Sequence, residues 1–493
     1  MSFAIVLPLM LLCTTMSDVG ALQTRDQIIK EELANFVGGR VNLTEKELKV
    51  NDLVLQKKVI ELNEGYKNPS KFWPSVHFFE AKHHVDGSEV FDLIRRLPKG
   101  ASLHTHVLAA VSNEFVITNL TYLENLYGGY VNGVFKLKFF QHGKQTTEYK
   151  PLEHYRQTQD NFDDWLLKKL SLVVDNVEES YPSVTDVWAK FKQTFTTLYD
   201  MVCYKPAFQI YITQLLNELY EDNVLYTELK GTFMPLYELD GTTYNTRDFF
   251  RIFINTVEDF KKQHPDFLGV KYIHSVYRGV DNEVLSDALE ALIELKEEFP
   301  NFIAGFDFVG YEEEGKTLYD YRHELLNASR HGMKFFFHAG ETNWFGHTDL
   351  NLVDAVLLNA SRIGHGFALD KHPNLIKLGK EKNIPIELCP ISNQVLMLVK
   401  DLRNHPAASL MAQDYPVIVG NDDPSLWNAS GLSYDWYVTF MGMTPEGVGL
   451  GFLKQLAINS LKFSEMNDDE RARAYEIWNQ KWNIYLDLVL ANS

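Results

Sequence analysis

A repeated unit constrains this chain more than any other feature: a short apolar run that ends in a polar residue or glycine, followed by a stretch with helical spacing. The runs are Ser102–Val107, Val224–Leu229, Gly269–Val276, Phe302–Val309, Met333–His338, Arg362–His365, Ile384–Cys389 and Pro416–Asp422. Helical patterns such as Glu283–Glu298 and Leu350–Asn359 lie between them. Eight strands alternating with helices predict an α/β fold, a (β/α)8 TIM barrel whose chemistry sits at the C-terminal strand ends. A doubly wound sheet is the alternative, but it would not converge so many polar groups on one centre. A chain of 493 residues is long enough for such a barrel with additions.

The strand ends carry the reactive residues. In Lys334–Glu341, KFFFHAGE, three aromatic residues read as a buried strand that delivers His338 and then Glu341. His104 and His106 stand two apart in PKGASLHTHV, so on a strand both rings leave the same face. RIGHGF ends on His365, and VIVGNDDP ends on Asp422 and Asp423. HTH, GHG or NDDP alone is a weak signal, and a lone buried histidine is more often a core residue than a ligand. In this order, each at a strand end, they define one centre. His104, His106, His338 and Asp422 offer three nitrogens and one oxygen, a set suited to Zn²⁺ or another borderline divalent ion. Glu341 is placed to exchange protons, His365 to act on an attacking water as base or electrostatic stabiliser, and Asp423 to accept a hydrogen bond from a substrate N–H.

The remaining signals concern organisation. The apolar run Phe3–Cys13 followed by Val19-Gly20-Ala21 reads as a secretory signal peptide, residues 1–21, without the usual basic start. Residues 22–92 read as a helical arm, with a Thr44–Glu47 capping box. That arm is either a solvated appendage or a means of forming a homodimer. Residues 93–493 form the barrel, with an insertion at about 119–185 that starts with a hairpin near Tyr127–Phe140. An insertion in a βα loop lies on the active-site face, where it can shape the substrate entrance or bind a cell-surface receptor or glycan. Sequons at Asn42, Asn119, Asn327, Asn359 and Asn428 fit an extracellular product. Outside the leader only Cys203 and Cys389 remain, too few for a disulfide scaffold. A net charge of −19 argues against a nucleic-acid or anionic-membrane partner, and after the leader no run is long enough to span a bilayer.

The quoted motifs, with Phe308-Val309-Gly310, Ser392-Asn393 and His338–Thr342, resemble the adenosine deaminase family of metal-dependent amidohydrolases. The leader, arm and long insertion resemble its secreted subgroup, the adenosine deaminase-related growth factors. The resemblance implies one Zn²⁺ per subunit on His104, His106, His338 and Asp422, with Glu341 protonating purine N1 and His365 orienting the water. It implies that Gly310 meets N3, that Asp423 meets N7, and that the segment Trp188–Phe195 and Tyr277 contact substrate. The implied reaction converts adenosine or 2′-deoxyadenosine to the inosine product plus ammonia. Three departures stand out: Val107 and Val276-Tyr277-Arg278 replace the subgroup's Asp and Asp-His-Arg, and a cysteine pair is missing from the insertion. They leave two alternatives, a deaminase of another aminopurine or a pterin, and an extracellular signalling ligand with reduced catalysis.

Overall fold

A computed structural model describes residues 18–492. Most of the expected leader, residues 1–17, lies outside the described residues; a helix, Asp18–Asn35, starts inside the expected leader and runs past its end. The second arm helix, Glu45–Lys67, begins at the expected capping box, with Glu47 N–H donating to Thr44 Oγ1 and Thr44 N–H to Glu47 Oε2 at 2.8 Å. This helix is no solvated appendage. Val50, Val54 and Leu62 are buried, and the buried Lys58 ammonium donates to Thr444 Oγ1 and the carbonyls of Pro445 and Val448.

After the arm comes the first barrel strand, β1 (Gly100–His106). The insertion follows as a small antiparallel sheet of β2 (Leu126–Val131), β3 (Val134–Phe139) and β4 (Tyr149–Pro151), one strand more than the expected hairpin. The barrel resumes with β5 (Val224–Gly231), β6 (Gly269–Tyr277), β7 (Ile303–Val309), β8 (His338–Ala339), β9 (Ile363–His365), β10 (Ile386–Leu388) and β11 (Val417–Val419). These eight strands form two parallel sheets, ordered β1-β5-β6-β7 and β8-β9-β10-β11. Isolated parallel bridges, Phe306 to Phe335 and Thr105 to Asp422, join the sheets at both seams. The architecture is the expected α/β barrel.

Burial explains why these runs form strands. In β5 every residue from Val224 to Lys230 is buried, as a parallel strand covered on both faces requires. The fifth barrel strand is shorter than expected: Phe335–Phe337 are buried, but of these only Phe335 forms a bridge, and the ladder holds at His338–Ala339. Cys203 and Cys389 are both buried and free.

Candidate active site

His104 and His106, on β1, reach the same centre as His338 on β8, His365 at the end of β9, and Asp422 just after β11. His365 and Asp422 hold left-handed φ values of 59° and 57°, backbone strain of the kind that clusters at functional sites. Nε2 of His106 lies 3.3 Å from Nε2 of His338 and 3.1 Å from Asp422 Oδ1, and His104 Nε2 lies 3.4 Å from that same oxygen. A tetrahedral ion with bonds of about 2.0–2.1 Å has ligand-to-ligand edges of about 3.3–3.4 Å. The edges observed here are of that size.

Hydrogen bonds behind the rings decide which nitrogens are free. Nδ1 of His104 donates to Glu387 Oε2 at 2.6 Å, and Nδ1 of His338 donates to Asp307 Oδ2 at 2.7 Å. A carboxylate only accepts, so each Nε2 is left with a bare lone pair aimed at the centre. His104 Nε2 is buried without a hydrogen-bond partner, as a ligand awaiting an ion should be. His365 differs. Its Nδ1 accepts from Asn393 Nδ2 at 3.1 Å, and the Asn393 carbonyl is held by His405 Nε2 at 3.0 Å. The proton of His365 therefore sits on Nε2, which makes that nitrogen a donor rather than a metal ligand. It points between Glu341 Oε1 and Asp422 Oδ2, 3.7 Å from each.

Electrostatics separate the acids. Burial, reinforced by Asp422 and Glu312, pushes the Glu341 carboxyl well above its ordinary value, so it holds a proton at neutral pH. Its backbone is fixed by Glu312, which accepts from Gly340 N–H at 2.9 Å and Glu341 N–H at 2.7 Å. Asp422 is equally buried, but the imidazoles of His104, His106 and His365 packed against it hold it well below the usual carboxylate range, so its charged form is favoured. Burial and the neighbouring Asp422 push Asp423 well up. Two adjacent buried carboxyls cannot both carry charge cheaply, so of the pair Asp423 is the one held toward its protonated form.

The centre opens into a cavity of about 260 Å³. Trp188, Phe195, Tyr277, Gly310 and Asp423, the expected substrate contacts, all line it together with His106, His338, Glu341, His365 and Asp422. His104 is fully buried behind them. Trp188 stacks on Tyr311 with centroids 5.0 Å apart, and Tyr277 lies 46% exposed at the rim against Gly310. Val107, Leu108, Phe191, Met234 and Leu396 make the rest of the wall strongly apolar. The supporting residues Asp307, Glu312, Glu387 and His405 were not singled out from sequence. The signal available for Asp307 and Glu387 was a charged residue inside an apolar strand run.

The adenosine deaminase family profile matches residues 170–478, and the adenosine/AMP deaminase N-terminal profile matches residues 11–94. The chain is 39% identical over 492 residues to adenosine deaminase 2 of Homo sapiens, covering 97% of this chain and 96% of that protein. It belongs to the adenosine deaminase family. An adenosine deaminase of Lutzomyia longipalpis is 40% identical over 473 residues, covering 94% and 93% of the two chains. Among solved structures, the Arabidopsis ADAL protein complexed with IMP superposes with a TM-score of 0.58 at 15% identity, covering 80% of this chain and 99% of that one. An amidohydrolase of Burkholderia ambifaria with bound Zn gives 0.57 at 18%, covering 82% and 95%. As a member of this family, the chain is a hydrolytic deaminase.

Proposed function

We propose that the chain is a secreted zinc-dependent deaminase that converts adenosine and 2′-deoxyadenosine to inosine and 2′-deoxyinosine with release of ammonia. One observation carries this reading: three imidazole nitrogens and a carboxylate at zinc-ligand spacing stand beside a protonated glutamic acid at the floor of an apolar cavity. His104, His106, His338 and Asp422 would hold the ion. Bound zinc supplies a water acidic enough to serve as hydroxide near neutral pH.

The chain's own groups do the rest. Glu341, kept protonated by burial, gives its proton to ring N1 and makes C6 electrophilic. His365 donates from Nε2 to the attacking oxygen, and the charged Asp422 accepts on the other side, so the nucleophile is aimed at C6. Asp423, also protonated, donates to N7, whose lone pair can only accept. Trp188 and Phe195 give the purine apolar surface. The water's oxygen bonds to C6 and the C6–N6 bond breaks; of the water's two protons, one leaves with the amino group as ammonia and the other restores the Glu341 carboxyl.

Secretion rests on the leader-like start and on exposed sequon asparagines such as Asn119 and Asn327. Pairing of two copies through the arm is supported by its exposed apolar side chains Ile28, Leu48 and Ile60, 54%, 50% and 56% accessible. Incubating the purified chain with adenosine and following the absorbance change to inosine tests the activity. Substrate left intact by a chain loaded with zinc would defeat the proposal.

A further inference from the structure

Lys230, near the end of β5, is fully buried at the cavity floor, yet it is not free to meet substrate. An ammonium has three donors. Two go to Asp307 Oδ2 at 2.8 Å and the Phe336 carbonyl at 2.9 Å, and the ammonium also pairs ionically with Glu387 Oε2 at 3.1 Å. Those two carboxylate oxygens are the ones that take the Nδ1 protons of His338 and His104. Each carboxylate is also held on its other oxygen: Asp307 Oδ1 accepts from His338 N–H at 2.9 Å, and Glu387 Oε1 accepts from Arg362 Nε at 2.6 Å.

We propose that Lys230 is a positioning residue that couples the two halves of the metal centre, fixing the rings of His104 and His338 relative to one another through Glu387 and Asp307. The inference rests on the reading of His104, His106, His338 and Asp422 as metal ligands. The two histidines come from strands in different sheets, β1 and β8, whose backbones pair across the seams through isolated bridges rather than a continuous ladder. The backbone ladder alone therefore does not set their spacing. Lys230 spans from β5 to Asp307 on β7 and Glu387 on β10, so a single cation ties both sheets directly beneath the ion's position. Without it, two buried carboxylates would face each other with no shared counter-charge, and each would be free to draw its histidine off line.

The test measures zinc affinity by chelator competition on the full chain, and the absorption spectrum of the cobalt-substituted protein, for wild type, Lys230→Met, Asp307→Asn and the double variant. Lys230→Met is expected to weaken zinc binding roughly 10- to 100-fold and to shift the cobalt bands. The double variant is expected to lose less than the product of the single losses, since Lys230 acts through Asp307. Where Lys230→Met does not fold, Lys230→Arg keeps the charge but cannot place it on the same two carboxylate oxygens and carbonyl, and the same loss is expected. Wild-type zinc affinity and an unchanged cobalt spectrum in the folded variant would overturn the role of Lys230 while leaving the metal centre standing. A wild-type chain that takes up no zinc would overturn the metal centre itself.

Discussion

Nδ1 of His365 accepts a hydrogen bond from the side-chain amide of Asn393 at 3.1 Å, the reverse of the arrangement at His104 and His338, where Nδ1 donates to a carboxylate. In the proposed function that reversal separates a residue acting on the nucleophile from two residues that would hold an ion. Asn393→Asp would draw the proton to Nδ1 and leave Nε2 a lone pair. The expected result is a fall in kcat of roughly 10²-fold or more, with zinc content unchanged, read by steady-state kinetics and metal analysis on the same sample.

In the proposed reaction Glu341 supplies the proton for ring N1. In Glu341→Gln the geometry survives, but the group has no proton to give. Activity should fall roughly 10²- to 10⁴-fold while zinc remains bound, because the carboxyl is not among the four ligands. A variant that keeps wild-type kcat removes Glu341 from the reaction.

The cavity wall predicts a different signature. Trp188, buried and stacked on Tyr311, offers the purine a flat apolar face without touching the reacting atoms. Base-to-aromatic contact of this kind is worth about 1–3 kcal/mol. Trp188→Ala should therefore raise KM by about 5- to 100-fold with a much smaller change in kcat. An equal fall in kcat at constant KM would place Trp188 in the chemistry instead.

How much of this was legible in the sequence depends on where each residue sits. His104, His106, His338 and Asp422 announce themselves because each interrupts or ends an apolar run. The capping box at Thr44–Glu47 was equally plain, being a purely local pattern. Lys230, Asp307 and Glu387 were hidden because a buried charge makes sense only with its partner, and these partners lie between 25 and 283 residues away along the chain. Asn393 could be quoted from a motif, but its effect on the His365 tautomer is a matter of which atom faces which. The brevity of β8 was invisible for a similar reason: three phenylalanines have strand propensity, and only tertiary packing decides that Phe336 and Phe337 lie outside both the bridge at Phe335 and the ladder at His338.

A buried imidazole outside the site gives a prediction about acid stability. His274 stacks on Phe233 with centroids 3.6 Å apart, and burial lowers its pKa from 6.5 to about 3. Between those values the unfolded chain binds a proton that the folded chain does not, so stability is fully present above pH 6.5 and falls as pH falls. At pH 5 the loss from this one group is about 2 kcal/mol. His274→Phe should show a smaller drop in Tm between pH 7.5 and 5 than wild type. An identical drop would mean that His274 titrates alike in both states.

The central claim is that His104, His106, His338 and Asp422, and not His365, hold one zinc ion. Diffraction from crystals of the zinc-loaded chain on either side of the zinc absorption edge tests it most directly. The account predicts a single anomalous peak within about 2.0–2.2 Å of three Nε2 atoms and one Asp422 oxygen, with His365 Nε2 outside that distance. A peak bonded to His365 in place of His106, or located away from this cluster, would contradict it.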